Sequence, residues 1–274
     1  MLGNAMFRVF LANSTADTVG TARGEDARRR FSEAASKQLI TGVDVENQDS
    51  LVRALIHVRP NVVVNCVGLV KQLAEADDPL RALPINSLLP HRLAMLCQAV
   101  GARLVHFSTD CVFSGAKGYY SETDAPDALD LYGRSKLLGE VRYPNAITLR
   151  TSIIGHELVG SKSLIGWFLS APSPVQGFTR AVFSGLPTVE LSRVVHDIVL
   201  PRTDLHGVYH VAAKPINKFD LLHLVAEAYG KQVYIVKSDS LVIDRSLCAE
   251  KFRQATGYVA PDWRELVKRM RDFG

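Results

Sequence analysis

A chain of 274 residues with 47% hydrophobic and 22% charged side chains can bury a sizeable core, as one large domain or as two lobes. Its net charge of +4 is too mild to argue for nucleic acid, though it leaves room for a basic pocket around an anionic ligand, and no stretch reaches the ~18 apolar residues of a membrane span. The four cysteines, Cys66, Cys97, Cys111 and Cys248, show no CxxC pair and no metal-like spacing, so they read as reduced thiols of a cytoplasmic protein that holds no metal.

In chain order, Leu2, Ala5, Met6, Val9 and Phe10 recur at helical spacing and predict an amphipathic helix over 2–12. Residues 17–23 read as a strand and its end, the Arg28 to Arg30 run as a solvated face, and 42–45 as the end of another strand. A helix is expected over 49–57, closed by Pro60. The near-continuous apolar run 61–68 is the kind of strand found where helices cover both sheet faces. After a loop at 69–78, Asn86 is expected to open a helix over 86–100.

The stretch 104–140 carries the chemistry. A short apolar strand ends in Ser108, Thr109 and Asp110. A Gly-containing loop follows, and Asp130 stands at the expected N-cap of a helix that places Tyr132 and Lys136 at i and i+4. That pair suits proton transfer to a carbonyl oxygen. A phenol with an ordinary pKa near 10 is a poor acid or base at neutral pH, and a neighbouring ammonium favours its ionised form. Tyr132 could then protonate a ketone while a hydride reaches the carbon, with Thr109 holding the same oxygen. Chance supplies about 0.3 Tyr-x-x-x-Lys pairs in a chain of this composition, so the surrounding pattern has to decide.

Downstream, 146–150 is a further buried strand. Strands alternating with helices to residue 155 predict an α/β fold with a parallel, doubly wound sheet. The alternation breaks at His156, and 156–186 shows few regular signals. A helix over 189–199 and a strand over 207–212 return to the sheet. A helix over 217–230 stops at Gly230, a short strand covers 231–237, and a last helix covers 262–273. The expected division is a dinucleotide-binding domain over 1–155 with the return segment 187–213, and a smaller lobe over 156–186 and 214–274.

The run STDCVF, then YSETD, then YGRSKLLGE resembles the extended short-chain dehydrogenase/reductases, and within them the dTDP-4-dehydrorhamnose reductase group. The resemblance extends from Leu2 to about Met270. It implies a Rossmann-type fold, NADP(H) as cofactor and reduction of a nucleotide-activated 4-keto-6-deoxy sugar for surface polysaccharides. Tyr132, Lys136 and Thr109 are then the catalytic set. In that family a first strand and a G-x-x-G-x-x-G turn hold the cofactor pyrophosphate. Gly3 looks like the third glycine, whereas the strand and the first two glycines are absent. Met1 is therefore expected to be an internal methionine, with on the order of ten residues upstream.

The same resemblance puts Asp44 and Val45 along the adenine and Cys66, Val67 and Gly68 beneath the nicotinamide ribose and pyrophosphate. Ser108, Tyr132 and Lys136 also face the cofactor. No acidic residue closes the 17–23 strand to bind a ribose 2′-OH, and Arg23 there suits the 2′-phosphate of NADP. Asn86 is expected to support the active-site backbone. The substrate side is assigned to Asp110, Lys71, Trp167, Arg180 and, in the IDRSL motif, Arg245, whose guanidinium suits a diphosphate. The expected partner is a dTDP- or UDP-linked sugar, and the resemblance allows a homodimer. Two alternatives stand: an epimerase or dehydratase of the same fold, and a non-catalytic regulatory subunit like that of methionine adenosyltransferase.

Overall fold

The computed structural model describes residues 1–13, 17–71 and 74–274. Gln72 and Leu73, within the loop expected at 69–78, lie outside the described residues. Four parallel strands make the central sheet in the order Gly207–His210, Ala146–Thr151, Arg103–Thr109, Val62–Asn65. Every residue of Arg103–Thr109 and of Ala146–Thr151 is buried, because alternate side chains enter two different cores. Leu104 packs with Leu51, Leu89 and Leu93 on one face. Val105 and Phe107 pack with Met6, Phe10 and Leu191 on the other. Helices therefore cover both faces, as the apolar strands require.

The helix Leu2–Ala12 buries the stripe that its spacing predicts, Leu2, Ala5, Met6, Val9 and Phe10, together with Phe7. The second strand shrinks to Gly20–Thr21, which pairs in parallel with Leu39–Ile40. Among the described residues this pair shares no strand pairing with the four-stranded sheet. The segment 42–45 follows the end of Leu39–Ile40 rather than lying in it.

Two expectations need correction. Asn86 does not open a helix. The helical run starts at Pro79, with the Asp78 carboxylate accepting from Leu80 N–H, passes through a wide turn at Leu83–Leu88 and continues as Leu89–Ala99. Pro84 has no N–H to give the preceding turn, which accounts for the widening. The segment 156–186 is not irregular either. Ser163 caps the helix Leu164–Ser170, and strands follow at Val175–Phe178, Ala181–Phe183 and Leu186–Pro187. Val175–Phe178 pairs with Ile235–Ser238, while Ala181–Phe183 lies between Ile216–Asn217 and Ile243–Asp244. The lobe also shares its core with the sheet side: Phe168, Leu221 and Phe252 belong to the same apolar cluster as Leu2 and Val105.

Candidate active site

The carboxyl ends of Val62–Asn65, Arg103–Thr109 and Ala146–Thr151 open into a cleft of about 660 Å³. Gly3, Cys66 to Gly68, Thr109, Tyr132 and Lys136 line it from the sheet side, and Trp167, Phe183, Lys218 and Arg245 line it from the lobe. Ligands of open α/β sheets bind at this end of the strands.

Thr109 ends its strand and caps the turn Asp110–Val112, its hydroxyl accepting from Cys111 N–H at 3.1 Å and donating to Asp110 Oδ1 at 3.1 Å. Burial pushes the Asp110 carboxyl up, against the lowering effect of Thr109, Arg245 and Lys218. Asp130 caps the helix Leu131–Leu138 as expected, accepting from Gly133 N–H at 2.8 Å. Gly133 lets this helix lie on the turn after Thr109: a Cβ there would overlap the Cys111 carbonyl oxygen and stand 2.6 Å from Ala128 Cβ. The Tyr132 phenol thereby lies near enough to Thr109 for that hydroxyl to act on it, and both residues line the cleft.

The electrostatics differ from the expectation that Lys136 lowers the Tyr132 pKa. Burial pushes the Tyr132 phenol up, Cys111, Asp110 and Asp130 act in the same direction, and only Thr109 opposes them. The Lys136 ammonium is turned onto the Phe107 carbonyl at 2.7 Å. Burial brings it down to about 8, and Glu140 resists that change. It lies under the loop at Gly68, 3.8 Å from where a Cβ of that residue would be. Asn86 holds the loop, accepting from Leu69 N–H at 2.9 Å and donating to Ser135 Oγ at 3.2 Å.

On the substrate side, Lys71 lines the cleft and pairs with Asp130 at 2.8 Å. Arg245 turns inward rather than onto its neighbour Asp244. Its Nε donates to the Phe113 carbonyl at 2.8 Å, and a terminal nitrogen reaches Cys111 Sγ at 3.5 Å. Trp167 is 42% exposed and lines the cleft. Arg180 is exposed on the bend between Val175–Phe178 and Ala181–Phe183 and lies outside the cleft lining. Arg23 is exposed beyond the end of Gly20–Thr21, and Asp44 and Val45 lie outside the cleft lining. Asp44 Oδ1 accepts from Glu46 N–H, and Val45 packs on the core beside the sheet. Ser108 also lines the cleft, with its hydroxyl donating to Glu140 Oε1 at 2.7 Å.

Two cleft groups escaped the sequence reading. Lys218 follows the helix cap Asn217 and could be taken for a solvated first-turn residue; its ammonium lies 4.3 Å from the centre of the Phe183 ring. Phe183 reads as ordinary lobe core. Only the pairing of Ile216–Asn217 with Ala181–Phe183 brings the two together. Among the described residues no three His, Cys, Asp or Glu side chains are grouped to hold a metal ion, and no helix is long and apolar enough to cross a membrane.

Residues 12–273 match the family described as RmlD substrate binding domain. The chain belongs to the RmlD family. Its similarity to curated RmlD-like proteins is moderate but long. A probable low-salt glycan biosynthesis reductase, Agl14, of Haloferax volcanii is 28% identical over 74% of this chain and 71% of its own length. The dTDP-4-dehydrorhamnose reductase of Escherichia coli is 27% identical over 83% and 84%. The methionine adenosyltransferase 2 subunit beta of Danio rerio is 28% identical over 84% and 71%. In fold, the chain superimposes on the dTDP-4-dehydrorhamnose reductase of Bacillus anthracis, solved with NADP, with a TM-score of 0.77 at 18% identity, covering 96% of this chain and 100% of the other. RmlD membership thus accounts for the Rossmann-type sheet and for the lobe that continues its core.

Proposed function

We propose that this chain is an NADPH-dependent reductase of a nucleotide-activated 4-keto-6-deoxy sugar, akin to the dTDP-4-dehydrorhamnose reductases, working in the cytoplasm on sugars for surface polysaccharides. The observation that carries this reading is the convergence of Thr109, Tyr132 and Lys136 on one cleft at the carboxyl ends of the sheet strands. In this reading 1–155 with 187–213 hold the cofactor, and 156–186 with 214–274 seat the sugar nucleotide.

The residues present fit a dinucleotide. No side chain caps the N-terminus of the helix Leu2–Ala12, so its first N–H groups are left for an anion. Gly3 and the floor of Cys66, Val67 and Gly68 are small beside that helix end, and a Cβ at Gly3 would stand 3.4 Å from Cys66 Cβ. A nicotinamide dinucleotide bound there supplies a hydride for C4 of the sugar. Tyr132 gives its proton to O4, so the carbonyl becomes a hydroxyl. Burial keeps this phenol protonated at neutral pH, which suits an acid in the reductive direction. Thr109 rotates its hydroxyl from Asp110 to the same oxygen. Lys136, anchored on the Phe107 carbonyl, keeps further N–H groups for the ribose hydroxyls.

The test is NADPH consumption by the purified protein with dTDP-4-dehydrorhamnose. One NADPH is expected per sugar reduced. Tyr132→Phe is expected to lower kcat by about 10²–10⁴-fold while leaving NADPH affinity within a few-fold; undiminished kcat would remove Tyr132 from its role. The likeness to the Danio rerio methionine adenosyltransferase 2 subunit beta favours one second reading, a non-catalytic NADP-binding subunit. Absence of turnover on any 4-keto sugar nucleotide, with co-purification of a larger catalytic partner, would move the assignment there.

A further inference from the structure

The lobe side of the cleft has two cations for which the catalytic steps above have no use. Ala181–Phe183 is the middle strand of the lobe's three-stranded sheet, with Ile216–Asn217 antiparallel on one side and Ile243–Asp244 parallel on the other. Asn217 and Asp244 both pair with Val182. The next residue of each flanking strand is Lys218 in one case and Arg245 in the other, and both line the cleft. Because the flanking strands run in opposite directions, the two side chains start on opposite sides of the middle strand and at its opposite ends.

They nevertheless meet one target. Lys218 lies close enough to Asp110 and Cys111 to feel their charge, and Arg245 touches Cys111 Sγ and acts on Asp110. Both cations therefore act at the turn after Thr109. Neither Lys218 nor Arg245 has a carboxylate within ion-pairing distance among the described residues. The Lys218 ammonium rests on the Phe183 ring, and burial pulls it down to about 8. An enclosed ammonium with no carboxylate in direct contact is costly, and an arriving anion offsets that cost.

We propose that Lys218 is the second arm of a diphosphate clamp: it and Arg245 grip the nucleoside diphosphate of the substrate beside the turn at Asp110 and Cys111. This rests on the reductase reading and adds a binding residue to it. An anion spread over two adjacent phosphates is the ligand that two separated, unpaired cations fit. Lys218 and Arg245 belong to the lobe's contribution to the cleft, and Gly3 and Gly68 to that of the sheet side. The rival role for Lys218, tuning Asp110 alone, predicts a change in turnover without a change in diphosphate affinity.

The experiment is calorimetric titration of dTDP and of UDP, and separately of NADPH, into the wild type, Lys218→Met and Lys218→Arg, alongside steady-state reductase kinetics. Lys218→Met is expected to weaken the preferred nucleoside diphosphate by at least about thirtyfold and to raise KM for the sugar nucleotide, with NADPH affinity within about twofold. Lys218→Arg, which keeps the charge, is expected to recover most of the loss. Unchanged diphosphate affinity in Lys218→Met, beside an active wild type, overturns the clamp and leaves the reductase reading intact. A wild type that binds the diphosphate through Lys218 but reduces no keto sugar retains the clamp and overturns the reductase reading.

Discussion

Gly133 shows how a residue with no chemistry of its own sets the chemistry beside it. Tyr132 comes beside Thr109 in the cleft because the helix Leu131–Leu138 lies directly on the backbone of Cys111, and only a residue without a Cβ permits that approach. A methyl there forces the helix outward, and Tyr132 moves with it. Gly133→Ala is therefore expected to cost about 1–3 kcal/mol in stability, the usual scale of overpacking. A displacement of about 1 Å at the acid should reduce kcat by roughly 10²-fold. Denaturant titration and steady-state kinetics read the two effects, and wild-type kcat in a folded variant would contradict the argument. The Tyr-x-x-x-Lys spacing and the strand-ending Thr109 were legible because i, i+4 geometry is local. The direction of the Tyr132 pKa was not, since it depends on a burial that only the folded chain provides.

At the scale of elements, the helix that bears Tyr132 and Lys136 is locked to two strands by one buried carboxylate. Glu140, just beyond the end of Leu131–Leu138, accepts from Ser108 at 2.7 Å and from Arg150 through Nε at 2.6 Å and a terminal nitrogen at 2.7 Å. Both side chains of the pair are nearly inaccessible, at 1% and 2%. Arg150 also contacts His210 Nε2 at 3.2 Å and covers the Phe113 ring. Glu140→Gln leaves the guanidinium buried with half its partner, and breaking such a pair typically costs about 3–5 kcal/mol. Replacing both, as Glu140→Leu with Arg150→Met, should recover much of that loss. A double variant no better than Glu140→Gln, by chemical denaturation, would mean that packing and not uncompensated charge sets the cost. The helices at Leu2–Ala12, Lys218–Tyr229 and Trp263–Phe273 were legible from period and caps. The strands of 156–186 were not, because their partners stand some 35–60 positions later, where no local pattern shows them.

For the molecule as a whole, the doubly wound half could be read from alternation, whereas the lobe side of the cleft could not. Thr109, Tyr132 and Lys136 sit on neighbouring elements, but Lys218 and Arg245 converge only once the lobe's sheet has formed. The completed core also fixes how the fold responds to acid. Burial holds His106, His156 and His210 below their ordinary range, His210 at about 3, with Arg150 adding to its shift and Arg8 to that of His156. His210 is neutral in the folded state, its Nδ1 facing the Tyr120 carbonyl at 3.0 Å. Between about pH 6.5 and 3 the unfolded chain binds a proton at this residue that the folded chain refuses, so stability falls as pH falls, by about 1.4 kcal/mol per pH unit for each such histidine. The carboxylates held low, Asp124 and Asp204 at about 2, lose their contribution only as pH falls below their unfolded range near 4. Between pH 6.5 and 4.5 the histidines lower stability, while Asp110, whose carboxyl burial pushes up, acts in the opposite direction. Urea unfolding across that window is expected to show a steep loss in the wild type. His210→Gln is expected to be less stable at pH 7 but to show a slope shallower by about one proton. Equal slopes in the two proteins would place the acid sensitivity elsewhere than at the buried contact between His210 and Arg150.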